Sequence, residues 1–215
     1  MRFFYVALFA IATECAAAQQ LAQLPVWTNN REQSNQTDWL VHPVQEKATV
    51  YNSPDRRDLI LYNGLVKRTF RLNPGIACTG YKNMTTGQEL IRAVSPEARI
   101  TINGKEYPVG GLTGQEEKAY LLPAWVDDFK RGERGFVFQR FVISKLIPFL
   151  AWKPTTWAMN TKQPTGVMVS FYYESTLPAL KDIHVTVNYE LYDGLPLMVK
   201  WLSIENKSNA PLKID

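Results

Sequence analysis

Histidine and cysteine are scarce in this chain, and their scarcity narrows its chemistry. Of 215 residues, two are histidine (His42 and His184) and two are cysteine (Cys15 and Cys78). Two distant histidines and so few thiols cannot supply the usual zinc spacings, so no metal is expected. The G-x-S-x-G signature of a serine nucleophile is absent. Gly110-Gly111-Leu112-Thr113-Gly114 lacks the Lys and Ser/Thr of a phosphate loop and reads as a flexible turn. No cofactor is implied. Excess charge is scarce too, with 24 basic residues against 20 acidic ones and a formal net charge of +4. With no basic cluster along the chain, nucleic acid is not an expected partner.

Long apolar runs are also missing. A membrane-spanning helix takes about 20 apolar residues, whereas Phe3 to Ala12 is broken off by Thr13, Glu14 and Cys15. Arg2 before this run and Ala16-Ala17-Ala18 after it give the pattern of a secretory signal, residues 1–18, cleaved ahead of Gln19. Lipid attachment at Cys15 is the alternative, and the bulky, charged Glu14 before it argues against that. The expected location is extracellular, or periplasmic in a bacterium, with no membrane anchor after cleavage. The signal holds one basic and one acidic residue, Arg2 and Glu14, so the mature charge is unchanged. Losing Cys15 leaves Cys78 alone, which rules out an intrachain disulfide and makes the fold depend on its core. A lone thiol then reads as a small buried apolar residue. Asn35-Gln36-Thr37, Asn83-Met84-Thr85 and Asn206-Lys207-Ser208 are N-glycosylation acceptors for a host that modifies secreted proteins.

What is abundant is strand patterning. Residues 19–46 form an irregular lead-in, rich in Gln, Asn and Thr, that can pack through Trp27 and Trp39. Residues 47–215 carry the punctuation of hairpins. Asn63-Gly64 separates Leu59–Tyr62 from Leu65–Leu72, and Asn103-Gly104 separates Ala98–Ile102 from Lys105–Val109; both residue types tolerate φ > 0. Phe136, Phe138, Arg140 and Val142 alternate with Val137, Gln139, Phe141 and Ile143, two largely apolar faces that predict a strand between layers. Val167 to Tyr173 alternates similarly. Ile183, Val185, Val187, Tyr189 and Leu191 alternate with His184, Thr186, Asn188 and Glu190, which predicts one wet face. Asp193-Gly194 turns the chain into Leu197–Glu205, apolar on both sides. Leu212–Asp215 begins one more strand, leaving an unpaired edge that reads as a domain interrupted. Gly87 to Val94 alone hints at a short helix. Long, evenly spaced strands predict an all-β fold, a large antiparallel sandwich.

The stretch Tyr189-Glu190-Leu191-Tyr192-Asp193-Gly194-Leu195-Pro196-Leu197, continuing through Trp201 to Asn206, resembles the long hairpin of a known domain. That domain is the N-terminal β-supersandwich of α-galactosidase-like glycoside hydrolases, which has a galactose-mutarotase-like fold. Asn63 to Phe70 is similar to its opening hairpin, and the resemblance covers about residues 47–215. It implies a non-catalytic module whose partner is a downstream catalytic (β/α)8 barrel, with the catalytic aspartates in that barrel and none here. An independent carbohydrate-binding or adhesion module is the other reading.

Catalytic alternatives can be weighed on their residues. Mutarotation needs a general acid and a general base, typically a His with a Glu. His42 lies in the lead-in, and His184 lies on the polar side of a strand. Asp127-Asp128 could suggest the paired carboxylates of a glycosidase, but neighbours in a row point different ways, so a solvated loop is the better reading. No catalytic residue is assigned. For carbohydrate binding the candidates are Trp125, Trp152 and Trp157, all in loop-like stretches, because sugar rings stack on indole faces. Packing in a core or an interface is the competing role of such aromatics.

Overall fold

The computed structural model describes residues 20–32, 38–132, 135–151 and 163–215. Residues 1–18, Asn35, Trp152 and Trp157 lie outside these. The strands, in chain order, are β1 (Thr49–Asn52), β2 (Asp58–Tyr62), β3 (Val66–Arg71), β4 (Ala77–Asn83), β5 (Ala98–Ile102), β6 (Lys105–Val109), β7 (Leu112–Thr113), β8 (Lys130–Arg131), β9 (Phe136–Lys145), β10 (Gly166–Ser175), β11 (Ile183–Tyr192) and β12 (Met198–Asn206). β1 to β4 form an antiparallel meander, and a six-stranded sheet runs β12-β11-β10-β9-β6-β5. β7 and β8 make a short ribbon beside them. The two large sheets pack face to face, as a sandwich requires when each has one apolar side.

The core forms where inward positions meet. Leu59, Leu61 and Phe70 from the smaller sheet face Val169, Phe171, Val187 and Tyr189 from the larger one, all buried. The Phe70 ring lies 5.0 Å from Phe171 and 5.1 Å from Tyr189. Cys78 belongs to this core, and burial pushes its thiol up to about 11. Glu97 is carried into the interior as a partnered charge: it accepts the Tyr189 hydroxyl and, at 2.9 Å, the Lys200 ammonium. The lead-in docks on the outer side of the smaller sheet. There the Trp27 ring is buried against Tyr51 and Tyr62, and the Trp27 backbone N–H donates to the Asn52 carbonyl at 2.8 Å.

Several details depart from the pattern. The Asn103-Gly104 turn has both residues at positive φ, 50° and 79°, as the pairing of β5 and β6 needs. At the other hairpin only Gly64 is left-handed, at 86°. Asn63 is instead the residue before the turn, fully buried, and it works through its side chain. Strict alternation puts Phe138 and Phe141 on opposite faces of β9. A bulge at Gln139, where pairing shifts between Tyr172–Arg140 and Tyr173–Phe138, returns both to the core side.

The supposed wet face of β11 is only half wet. Asn188 and Glu190 are buried. Ser170 and Ser203 bond Asn188 on either side, while Glu190 accepts the Phe149 N–H at 2.7 Å. Gly87 to Val94 is not helical: the Glu89 carboxylate accepts the backbone N–H groups of Tyr81, Leu90 and Ile91 and holds the segment extended along β4. The last residues are not left unpaired. Thr101 and Asp215 exchange two backbone hydrogen bonds, of 3.2 and 3.0 Å, so the segment after β12 pairs with β5 on the opposite side of the sheet.

Candidate functional site

Among the described residues a large concavity lies where the β1–β2 loop, the end of β3 and a 3-10 helix over Pro123–Asp128 converge. Pro123 opens that helix, where its missing N–H costs nothing. Val126 points inward against Ala77, Leu112 and Phe129, and Trp125 packs on the same small core. That inward pair leaves Asp127 exposed on the outer side, facing two arginines.

A chain of charges runs through this place. Asp127 Oδ1 accepts from Arg71 Nη1 at 2.5 Å and from Arg57 Nη1 at 2.8 Å. Arg71 Nε donates to Asp58 at 2.5 Å, and Arg57 Nε donates to Asp55 at 2.6 Å. Ser53 closes the chain, its hydroxyl donating to Asp55 and accepting the N–H groups of Arg57 and Asp58. Arg71, Asn73, Pro74, Phe129 and Arg131 line the resulting cleft of about 740 Å³, with Arg57 and Asp127 at its wall.

The electrostatics follow from these contacts. Hydrogen bonds from Arg71 and then Arg57 hold the Asp127 carboxyl below the usual range. Burial works against ionisation of Asp55, but Ser53 and Arg57 outweigh it and bring the carboxyl down to about 2. Asp58, behind them, is pushed up by burial despite its bond to Arg71. Arg57, Arg71, Arg131 and Asp127 line the cleft itself, three cations and one carboxylate, while Asp55 and Asp58 stand behind it as partners of Arg57 and Arg71. Held in this way, the Asp127 carboxyl favours its ionised form and is poorly suited to act as a general acid at neutral pH.

The residues singled out from the sequence are scattered. Trp125 is partly buried against the small core, and Trp152 and Trp157 lie outside the described residues. His184 Nδ1 does lie 3.4 Å from Glu174, a cross-strand neighbour on the sheet face, but neither residue lines the cleft. His42 is exposed in a turn in which its N–H bonds to Asp38. Asn83 and Asn206 both sit at turns following strands, where their amides bond to the backbone. Among the described residues no group of three or more His, Cys, Asp or Glu could hold a metal, and no helix is long and apolar enough to cross a membrane. The arginines of the cleft were not singled out from the sequence. Arg57, Arg71 and Arg131 are far apart in the chain, and only the sheet brings them together. No family model, curated protein or solved structure matches the chain.

Proposed function

We propose that this chain is the non-catalytic N-terminal β-sandwich module of a secreted carbohydrate-active enzyme of the α-galactosidase-like kind, and that its arginine–aspartate cleft contacts sugar. The observation that carries this reading is the cleft's chemistry. Planar guanidinium and carboxylate groups, fixed by one another, present paired donors and acceptors that suit adjacent hydroxyls. Pro74, exposed at the cleft, supplies apolar surface for the C–H side of a ring. Arg57 and Arg71 are already held by Asp55, Asp58 and Asp127, so an anion would have to displace a carboxylate, whereas sugar hydroxyls need not. The hairpin resemblance, the signal pattern at residues 1–18 and the long paired strands support the same reading.

Nuclear magnetic resonance titration of the purified chain with neutral saccharides tests it, alongside turnover assays on nitrophenyl glycosides. We expect binding without turnover, and about tenfold weaker binding after Arg131→Ala, the loss of about 1.4 kcal/mol that one charge-assisted hydrogen bond represents. Glycoside turnover by the chain alone, or no response to any neutral sugar, overturns the proposal.

A further inference from the structure

A second concavity, of about 430 Å³, lies between residues 92–94 and 115–120. This falls within the range of about 300–1,000 Å³ common for small-ligand sites. One large ring faces it from the surface: Tyr120 is 65% exposed. The ring is nonetheless held in place. Arg92 Nη1 donates to the Tyr120 hydroxyl at 3.0 Å, and the guanidinium lies 5.1 Å from the ring centre.

The wall beneath is pinned by one side chain. Gln115 donates to the carbonyls of Arg92 and Ala119 and accepts the Val94 N–H. Leu121 N–H closes the loop onto the Arg92 carbonyl at 2.8 Å. Lys118, at φ 60°, takes the left-handed turn that brings Tyr120 out. A non-glycine residue keeps such a conformation only when its surroundings fix it. Glu116 and Glu117 are exposed at this site, and neither is in an ion pair among the described residues. Around this concavity the charges cancel, Arg92 and Lys118 against the two glutamates.

We infer that Tyr120 is the platform of a second sugar subsite, with Glu116 and Glu117 as hydroxyl acceptors, so that the ligand is a chain of neutral sugar units rather than a single one. The inference rests on the reading of the arginine cleft as a sugar site. Both places belong to one segment: Tyr120 leads into the 3-10 helix that carries Asp127. By chain geometry the two residues are at most about 18 Å apart. One extended glycan can reach both. A fixed aromatic face binds at little entropic cost, because its ring is already ordered.

The experiment compares neutral hexaoses (gluco, manno, galacto and xylo) with the matching monosaccharides, again by resonance titration. The readout is the ratio of hexaose to monosaccharide affinity. Tyr120→Ala is expected to lower that ratio about tenfold, the scale of one stacking contact, and Tyr120→Phe to keep most of it. Thermal melting of each variant reports whether the fold is intact, as expected for an exposed ring. If wild type binds hexaoses no better than monosaccharides, or if Tyr120→Ala leaves the ratio unchanged in a folded protein, the second subsite is overturned and the arginine cleft stands alone. If wild type binds no neutral sugar of either length, both readings fall.

Discussion

Asn63 shows how much one residue can carry in this fold. Its Nδ2 donates to the carbonyls of Tyr192 and Leu195 at 2.7 Å each, and its Oδ1 accepts the N–H groups of Leu65 and Val66 at 3.0 Å each. The amide therefore builds its own turn and ties it to the hairpin between β11 and β12, more than a hundred residues away. Asn63→Ala leaves four backbone groups without that partner, and a buried unsatisfied group costs about 1–3 kcal/mol. A loss of about 3 kcal/mol is expected, read as a lower urea midpoint. Asn63→Asp keeps the two acceptor bonds but turns a donor into a carboxylate aimed at two carbonyls. It should destabilise more than Ala at pH 7 and recover as the solution is acidified. Equal stability of Asn63→Ala and wild type would show that water replaces the amide without cost.

At the scale of the element, the bulge at Gln139 decides which aromatics of β9 reach the core. Phe138 lies 6.1 Å from the rings of both Phe171 and Tyr173, on the inner side. Arg140, beyond the bulge, stacks on Tyr172 at 3.8 Å on the outer side. Phe138→Ala is expected to cost toward the lower end of the about 3–5 kcal/mol seen for buried Phe, since Phe138 is partly exposed. Arg140→Ala should cost under about 1 kcal/mol, as exposed cation–π contacts do. Deleting Gln139 restores strict alternation and turns Phe136 and Phe138 to the wrong face; failure of that deletion to destabilise would sink the account.

This is also where the sequence stops being legible. The paired strands were readable from their period of two and their Asn-Gly turns, and β5 and β6 match their predicted limits residue for residue. A bulge leaves no such trace, because one extra residue shifts the parity without altering the composition. Nor does alternation reveal a covered outer face: Asn188 and Glu190 look solvent-facing until Ser170, Ser203 and Phe149 are set against them. The cleft was hidden for a related reason. Its arginines lie in separate strands and loops whose proximity depends on sheet order, which residue type and spacing do not reveal.

At the scale of the whole molecule, acid should act on stability and on the cleft together. Asp55 and Asp127 have folded values below those of an unfolded carboxyl, as does Glu32, where burial is outweighed by Lys67 and Lys82. Depressed groups of this kind contribute stability that is complete above the unfolded value, about 4, and is lost as pH falls through the folded one. For Asp55 that window runs from about 4 down to about 2. Asp58 acts in the opposite sense: its raised value means that ionisation costs stability near neutrality, and this cost is relieved as the pH falls. The urea midpoint should therefore stay level or rise slightly as the pH falls from neutrality toward the carboxyl range, then fall between about 4 and 2. Asp58→Asn should remove any rise, and Asp127→Asn should shrink the fall. Because the same carboxylates hold Arg57 and Arg71 in place, sugar affinity should decline in that acid window. A decline of affinity centred outside that acid window would overturn the link between these carboxylates and the cleft.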